Sequence, residues 1–175
     1  AGVKEYEFMV EDFSAINTPC DMNKVIMDIP FGGKMGDIEH AGYKGMRAKK
    51  WMDSYACREA EPLLMAAAID SLSVNGRFVV IVPPNFLFKQ TKSLRAFRKK
   101  IVKKGLLKAV VSLPAVHTST SIKSFILIIE SGNEDVLFVD AANFIQRERR
   151  NDAYIGNEDK IVLKDILNNK KAVEK

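Results

Sequence analysis

The stretch FVVIVP, residues 78–83, carries no charge, and four of its six residues are β-branched. A continuous apolar run of that length suits a central strand buried on both faces of a sheet. Working outward from it, NGR (75–77) reads as the end of a preceding helix, with Gly76 free to take a left-handed conformation. That helix is expected from Trp51 to about Ser73. Leu64, Ala67, Ala68 and Leu72 fall at helical spacing on one face, and Pro62 lies in a first turn or at a kink. After the strand, KQTKSLRAFRKKIVKKG (89–105) is an amphipathic helix with a stripe of Leu94, Phe97, Ile101 and Val102, stopped by Gly105.

LLKAVVSLP (106–114) is another buried strand. SFILIIES (124–131) and DVLFVDA (135–141) flank GNE and read as a hairpin. Upstream, YEFMVEDF (6–13) alternates as a short strand, and KVIMDIPF (24–31) is a strand buried at Val25, Ile26 and Met27. From about Asn143 the chain is charged and mixed, with a short helix at LKDILNN (163–169). Strands alternating with helices and then a terminal hairpin make an α/β sheet. Ligands in such sheets bind beyond the carboxyl ends of the strands. Asp12, Asp28 and Pro83 sit at such ends.

Composition narrows the class. With 175 residues, 47% hydrophobic and 28% charged, the chain has the balance of one globular domain with a real core. No apolar run reaches the roughly 18 residues that span a membrane. The N-terminus lacks a signal-peptide core. Cys20 and Cys57 form no CxxC pair, which suits reduced thiols in a cytoplasmic protein. The net charge of +5 fits an anionic partner such as nucleic acid without requiring one.

VIMDIPFGGK (25–34) is the chemical centre of the sequence. Pro30 fixes its own φ and pushes Ile29 into an extended conformation. The resulting ledge offers the Asp28 side chain, the Ile29 carbonyl and the Phe31 ring to one planar ligand. An amino group on an aromatic base can donate to the two oxygens while its ring stacks. The plainer alternative makes Asp28 the cap of a turn and Phe31 part of the core.

Here the sequence resembles a known family. DIPF resembles the (D/N/S)-P-P-(Y/F/W) motif of amino-group methyltransferases, and DIPFGGK resembles the NPPFGGK form of type I restriction–modification subunits. LSVNGRFVVIVPPNFLF (72–88), SLRAFRKKIVKKGLLKAVVSLPAVHTSTSIKSFILIIES (93–131) and VLFVDA (136–141) are similar to further stretches of that family, in order, over residues 6 to 145. The resemblance implies a class I, Rossmann-like sheet that uses S-adenosylmethionine, mostly parallel with a C-terminal antiparallel hairpin. It implies methyl transfer to N6 of a flipped adenine in DNA, with Asp28, Ile29, Pro30 and Phe31 as catalytic residues. Asp12 and Phe13 match the family's acid–aromatic pair that holds the cofactor's adenine. No metal is implied. The partners implied are DNA and the specificity and restriction subunits of a type I system.

Two departures accompany the match. Ile29 replaces the first proline of the motif. The glycine-rich cofactor loop is expected before Asp12, where only eleven residues stand. The cofactor site is therefore expected to be incomplete. Residues 1–145 are expected to be the C-terminal part of a catalytic domain, and 146–175 a charged extension. An open sheet edge beside Tyr6–Val10 or Val25–Met27 invites self-association. Other readings are a non-catalytic relative used for DNA binding or assembly, and a methyltransferase acting on RNA or on protein glutamine.

The remaining features have simple readings. The cations of helix 89–105 either track phosphates or form a solvated face. The loop from Lys34 to Lys50 is the better candidate for DNA contact. His40 and His117 have no ligand-spaced neighbours. HTSTS (117–121) reads as a loop, Trp51 as packing and Asp140 as the cap of a turn.

Overall fold

The computed structural model describes residues 21–29, 31–32, 59–115, 122–146 and 154–169. The elements are β1 (Met22–Asp28), α1 (Ala60–Asp70), β2 (Leu72–Val82), α2 (Pro84–Phe88), α3 (Lys92–Lys103), β3 (Leu107–Leu113), β4 (Ser124–Ile129) and β5 (Leu137–Asp140). A 3-10 turn (Ala142–Phe144), the short strands β6 (Ile145–Gln146) and β7 (Tyr154–Ile155), and α4 (Asn157–Asn169) follow. The expected strand at 6–13 lies outside the described residues.

Five strands form one sheet in the order β1-β2-β4-β3-β5. β1 runs parallel to β2 and β3 parallel to β5, while β4 is antiparallel to both β2 and β3. Four strands therefore share a direction and one opposes them, the mostly parallel α/β sheet expected. β6 and β7 make a separate antiparallel pair.

The hairpin expected between 124–131 and 135–141 does not form. β4 has β2 on one side and β3 on the other, so neither edge is free for β5. The antiparallel partner consecutive with β4 is β3, and β5 takes the far edge of β3. The connection crosses the turn between α3 and β3, where Asn133 N donates to Gly105 O at 2.9 Å. Gly105 has φ +61°, and a Cβ there would stand 2.7 Å from Asn133 O. Glycine at 105 thus both stops α3, as expected, and admits the crossing strand connection.

One face of the sheet carries Phe78, Val80, Val82, Val110, Leu127 and Ile129 against Leu94, Phe97 and Ile101 of α3 and the apolar residues of α1. Burying a side chain such as Phe78 is worth about 1.5–3 kcal/mol. The opposite face of β3, β4 and β5 is covered by α4, through Leu163 and Ile166 against Val111, Leu113 and Val139. The segment expected as a charged extension thus supplies a packed helix, longer than the 163–169 expected.

Several local expectations change. Ile26 is 85% exposed, not buried. It alternates with the half-buried Val25 and Met27, and no described helix covers its face. For the same reason only one face of β2 is fully buried, with Val79 and Ile81 half-buried. α1 is buried around nearly its whole circumference instead of along one face, because LLMAAAI offers no polar side. Gly76 does not cap a helix. It lies inside β2, where a Cβ would stand 2.7 Å from Met22 O. The strand wraps there, since Met22 pairs with Leu72 and Lys24 with Arg77. Val102, placed in the apolar stripe of α3, is 49% exposed. Asp140 caps its turn as expected, its Oδ1 accepting from Ala142 N at 3.1 Å.

Among the described residues β1 has a neighbouring strand on one side only. No described helix is long and apolar enough to cross a membrane.

Candidate functional site

The carboxyl end of β1 builds the site. Asp28 is the last residue of the strand, opposite Ile81 of β2. Strand alternation then separates Asp28 from Ile29. The Asp28 side chain is exposed, while Ile29 is 1% exposed within the core. Phe31 emerges again at 43% exposed. Asp28 has no hydrogen-bond or ion-pair partner among the described residues, so it does not cap a turn, and Phe31 is not core.

Gly32 closes the ledge with φ +74° and open space where a Cβ would project. Its N–H donates to Glu61 Oε1 at 3.0 Å. Glu61 is 6% exposed and sits in the first turn of α1, where a carboxylate also meets the positive end of the helix dipole. Two residues earlier, Glu59 accepts from Ser93 Oγ at 2.8 Å, Thr91 Oγ1 at 3.3 Å and Lys89 Nζ at 3.4 Å. The start of α1 therefore ties the ledge to the start of α3.

At the end of β2, Pro83 is extended and Pro84 opens α2, as proline at a first helical position should. Arg98 donates to Phe86 O at 2.7 Å and to Lys89 O at 2.9 Å, fixing the link between α2 and α3. Burial and, second, the charge of Arg95 pull the Arg98 pKa below its ordinary value. Phe86 meets Phe97 edge-on at 6.1 Å, and the exposed Phe88 meets Phe125 in the same way at 5.8 Å.

A cavity of about 250 Å³ lies at the other end of the strands, lined by Arg77, Lys108, Ile128, Lys160, Leu163 and Lys164. Glu130 joins two of these cations, Arg77 at 2.7 Å and Lys108 at 2.5 Å. Burial pushes its carboxyl up, but hydrogen bonds from Lys108 and Arg77 and their charges outweigh it and hold the pKa below the usual carboxylate value. This network is structural and stands apart from the ledge.

Of the expected site residues, Asp28, Ile29 and Phe31 come together in one short turn. Pro30, Asp12 and Phe13 lie outside the described residues, as do Lys34–Lys50, Trp51, His40, His117 and both cysteines. Among the described residues no three His, Cys, Asp or Glu side chains group as metal ligands. Glu61 and Glu59 were missed in the sequence. The available signal was an acid next to Pro62 at a helix start, which predicts a favourable first turn but not its distant partner.

Residues 7–175 match the family model described as N-6 DNA methylase. No curated protein matches the chain. Among solved structures, the methyltransferase subunit of a type I restriction–modification system from Streptococcus thermophilus superposes with a TM-score of 0.70. It is 19% identical over 90% of this chain and 34% of its own. The M protein of the type I restriction enzyme EcoKI gives 0.50 at 21% identity, over 67% of this chain and 22% of its own. A Listeria monocytogenes protein assigned to the class I S-adenosylmethionine-dependent methyltransferases gives 0.52 at 22% identity, over 69% of this chain and 37% of its own. At these identities the likeness is one of fold, and the chain spans well under half the length of each. With the family model matched along nearly its whole length, the chain belongs to the N-6 DNA methylase family.

Proposed function

We propose that this chain contributes the adenine-binding half of a DNA adenine-N6 methyltransferase of the type I modification kind. The observation that carries this reading is the pairing of an exposed, unpartnered Asp28 with an exposed Phe31 around a fully buried Ile29. A purely structural turn would bury the aromatic or satisfy the acid.

In this reading a flipped adenine stacks on Phe31 and donates its amine to an Asp28 oxygen, while the Ile29 carbonyl, expected as a second acceptor, belongs to a residue only 1% exposed and is not offered to the base. That acceptor, Asp28, draws the nitrogen toward a tetrahedral geometry in which its lone pair can attack. Ile29 lacks the ring-fixed φ of the family's first proline, but its buried side chain holds the position by packing, with about 2–3 kcal/mol of burial behind it. Glu61 fixes the Gly32 amide, one residue after the stacking ring.

S-adenosylmethionine, when bound, supplies an electrophilic methyl group on a sulfonium centre. The described residues form the base side of the site and include no glycine-rich cradle for a nucleotide. Asp12 and Phe13 are the residues that would hold the cofactor's adenine, by the family resemblance. DNA and the other subunits of a type I complex are the partners this reading assigns, in the cytoplasm.

The test has two stages. Calorimetric titration of the folded chain with S-adenosylmethionine reports whether the cofactor side is complete. Transfer of labelled methyl to a DNA duplex, read as N6-methyladenine after digestion, reports the chemistry. Asp28→Ala is expected to lower transfer on the order of 100-fold. A folded chain that binds the cofactor and DNA but labels no adenine would overturn the reading.

A further inference from the structure

Helix α3 carries Lys92, Arg95, Arg98, Lys99, Lys100 and Lys103 and no acid. With six cations and no acid in twelve residues, this helix is strongly basic. Arg98 is committed to two carbonyls and Lys100 is half-buried and engaged. Lys92, Arg95, Lys99 and Lys103 are all exposed, and none pairs with a carboxylate among the described residues. At 3.6 residues per turn and 1.5 Å per residue, the four fall within about 80° of arc and extend along about 16 Å.

Helix stability does not account for this stripe. Lys103 lies in the last turn, where a cation is favourable, but Lys92 and Arg95 lie in the first, whose own residues include no acid and where the one carboxylate in place, Glu59, is bound to Thr91 and Ser93. Cations there oppose the helix dipole by about 0.3–1 kcal/mol each. Four exposed cations in one row, with no anion among them, also repel one another along the helix. The stripe also has a defined origin. Thr91 and Ser93 at the start of α3 hold Glu59, and Glu61 two residues on holds Gly32 of the ledge. From that end it runs back along the sheet, on the face opposite α4.

We propose that Lys92, Arg95, Lys99 and Lys103 are a docking track for the phosphate backbone of duplex DNA flanking the base held at the ledge. The inference rests on the adenine reading for its choice of DNA. Row spacing along one exposed face suits the evenly spaced charges of a duplex backbone, and such contacts give affinity and register without sequence preference.

The experiment is binding of the full chain to a fluorescent duplex of about 20 base pairs, longer than the stripe at 3.4 Å per pair, followed by anisotropy between about 50 and 200 mM salt. The stripe variant carries Lys92→Gln, Arg95→Gln, Lys99→Gln and Lys103→Gln, and a milder one only Arg95→Gln and Lys99→Gln. A control carries Lys24→Gln, Lys160→Gln and Lys164→Gln, on the opposite face. Circular dichroism melts confirm that each variant folds.

The slope of log affinity against log salt is expected to become shallower by about 0.9 for each phosphate that a removed cation had neutralised. That is roughly 2–4 for the full stripe and up to about 2 for the milder variant, with little change in the control. Unchanged slopes in both stripe variants, or an equal change in the control, would overturn the track while leaving the adenine reading in place. A folded wild-type chain with no duplex affinity at low salt would overturn both.

Discussion

The carboxylate of Glu61 accepts the amide of Gly32 at 3.0 Å across 29 residues of sequence, joining the buried start of α1 to the exposed loop after Asp28. A buried acid that accepts a backbone donor is a tether, and it sets how far Phe31 can move. Glu61→Ala leaves the Gly32 donor without its partner and is expected to cost about 1–3 kcal/mol in urea unfolding. Glu61→Gln, whose amide oxygen still accepts, is expected to recover most of that. Equal destabilisation by both variants would show that charge, not the tether, matters there.

In the proposed reading, Phe31 separates stability from binding. Its ring is 43% exposed, so Phe31→Ala is expected to change unfolding free energy by no more than about 0.5 kcal/mol. Loss of one stacked base is worth about 1–3 kcal/mol. The enhancement of 2-aminopurine fluorescence at the target position of a duplex should therefore fall sharply in a variant of normal stability.

Gly105 is required twice, by its φ of +61° and by the carbonyl of Asn133 at 2.7 Å from a would-be Cβ. The conformation alone costs a non-glycine residue about 1–2 kcal/mol, and the clash adds to it. Gly105→Ala is expected to lower the urea midpoint by more than Gly132→Ala. Gly132 has φ +85° but open space around it.

Acid should weaken the end of the sheet held by Glu130. Its pKa is lower folded than unfolded, because the hydrogen bonds and charges of Lys108 and Arg77 outweigh the opposing effect of burial. A depressed carboxyl stabilises the fold fully above its unfolded value, about 4.3, and loses that contribution as pH falls through the folded value. Thermal melts from pH 6 downward should therefore show a smaller acid-induced drop in Glu130→Gln than in the wild type. The variant should also be less stable at neutral pH, since Lys108 is left buried with a weaker partner.

The sequence by itself determined the alternation of strands and helices, the stop at Gly105, the strands β2 and β3 with the burial of β3, and the composition of the ledge from Asp28 to Phe31. Those features are local, set by side-chain period, β-branching and the dihedral limits of glycine and proline, and each is written in a few consecutive residues. Tertiary structure alone decided which edge β5 takes, because that depends on β4 already having two neighbours. It also decided that Ile26 faces outward, since burial of a strand face depends on whether a helix lies over it. The contacts of Glu61 with Gly32 and of Glu130 with Arg77 span 29 and 53 residues, and a carboxylate's partner at such distances is chosen by the packing of whole elements.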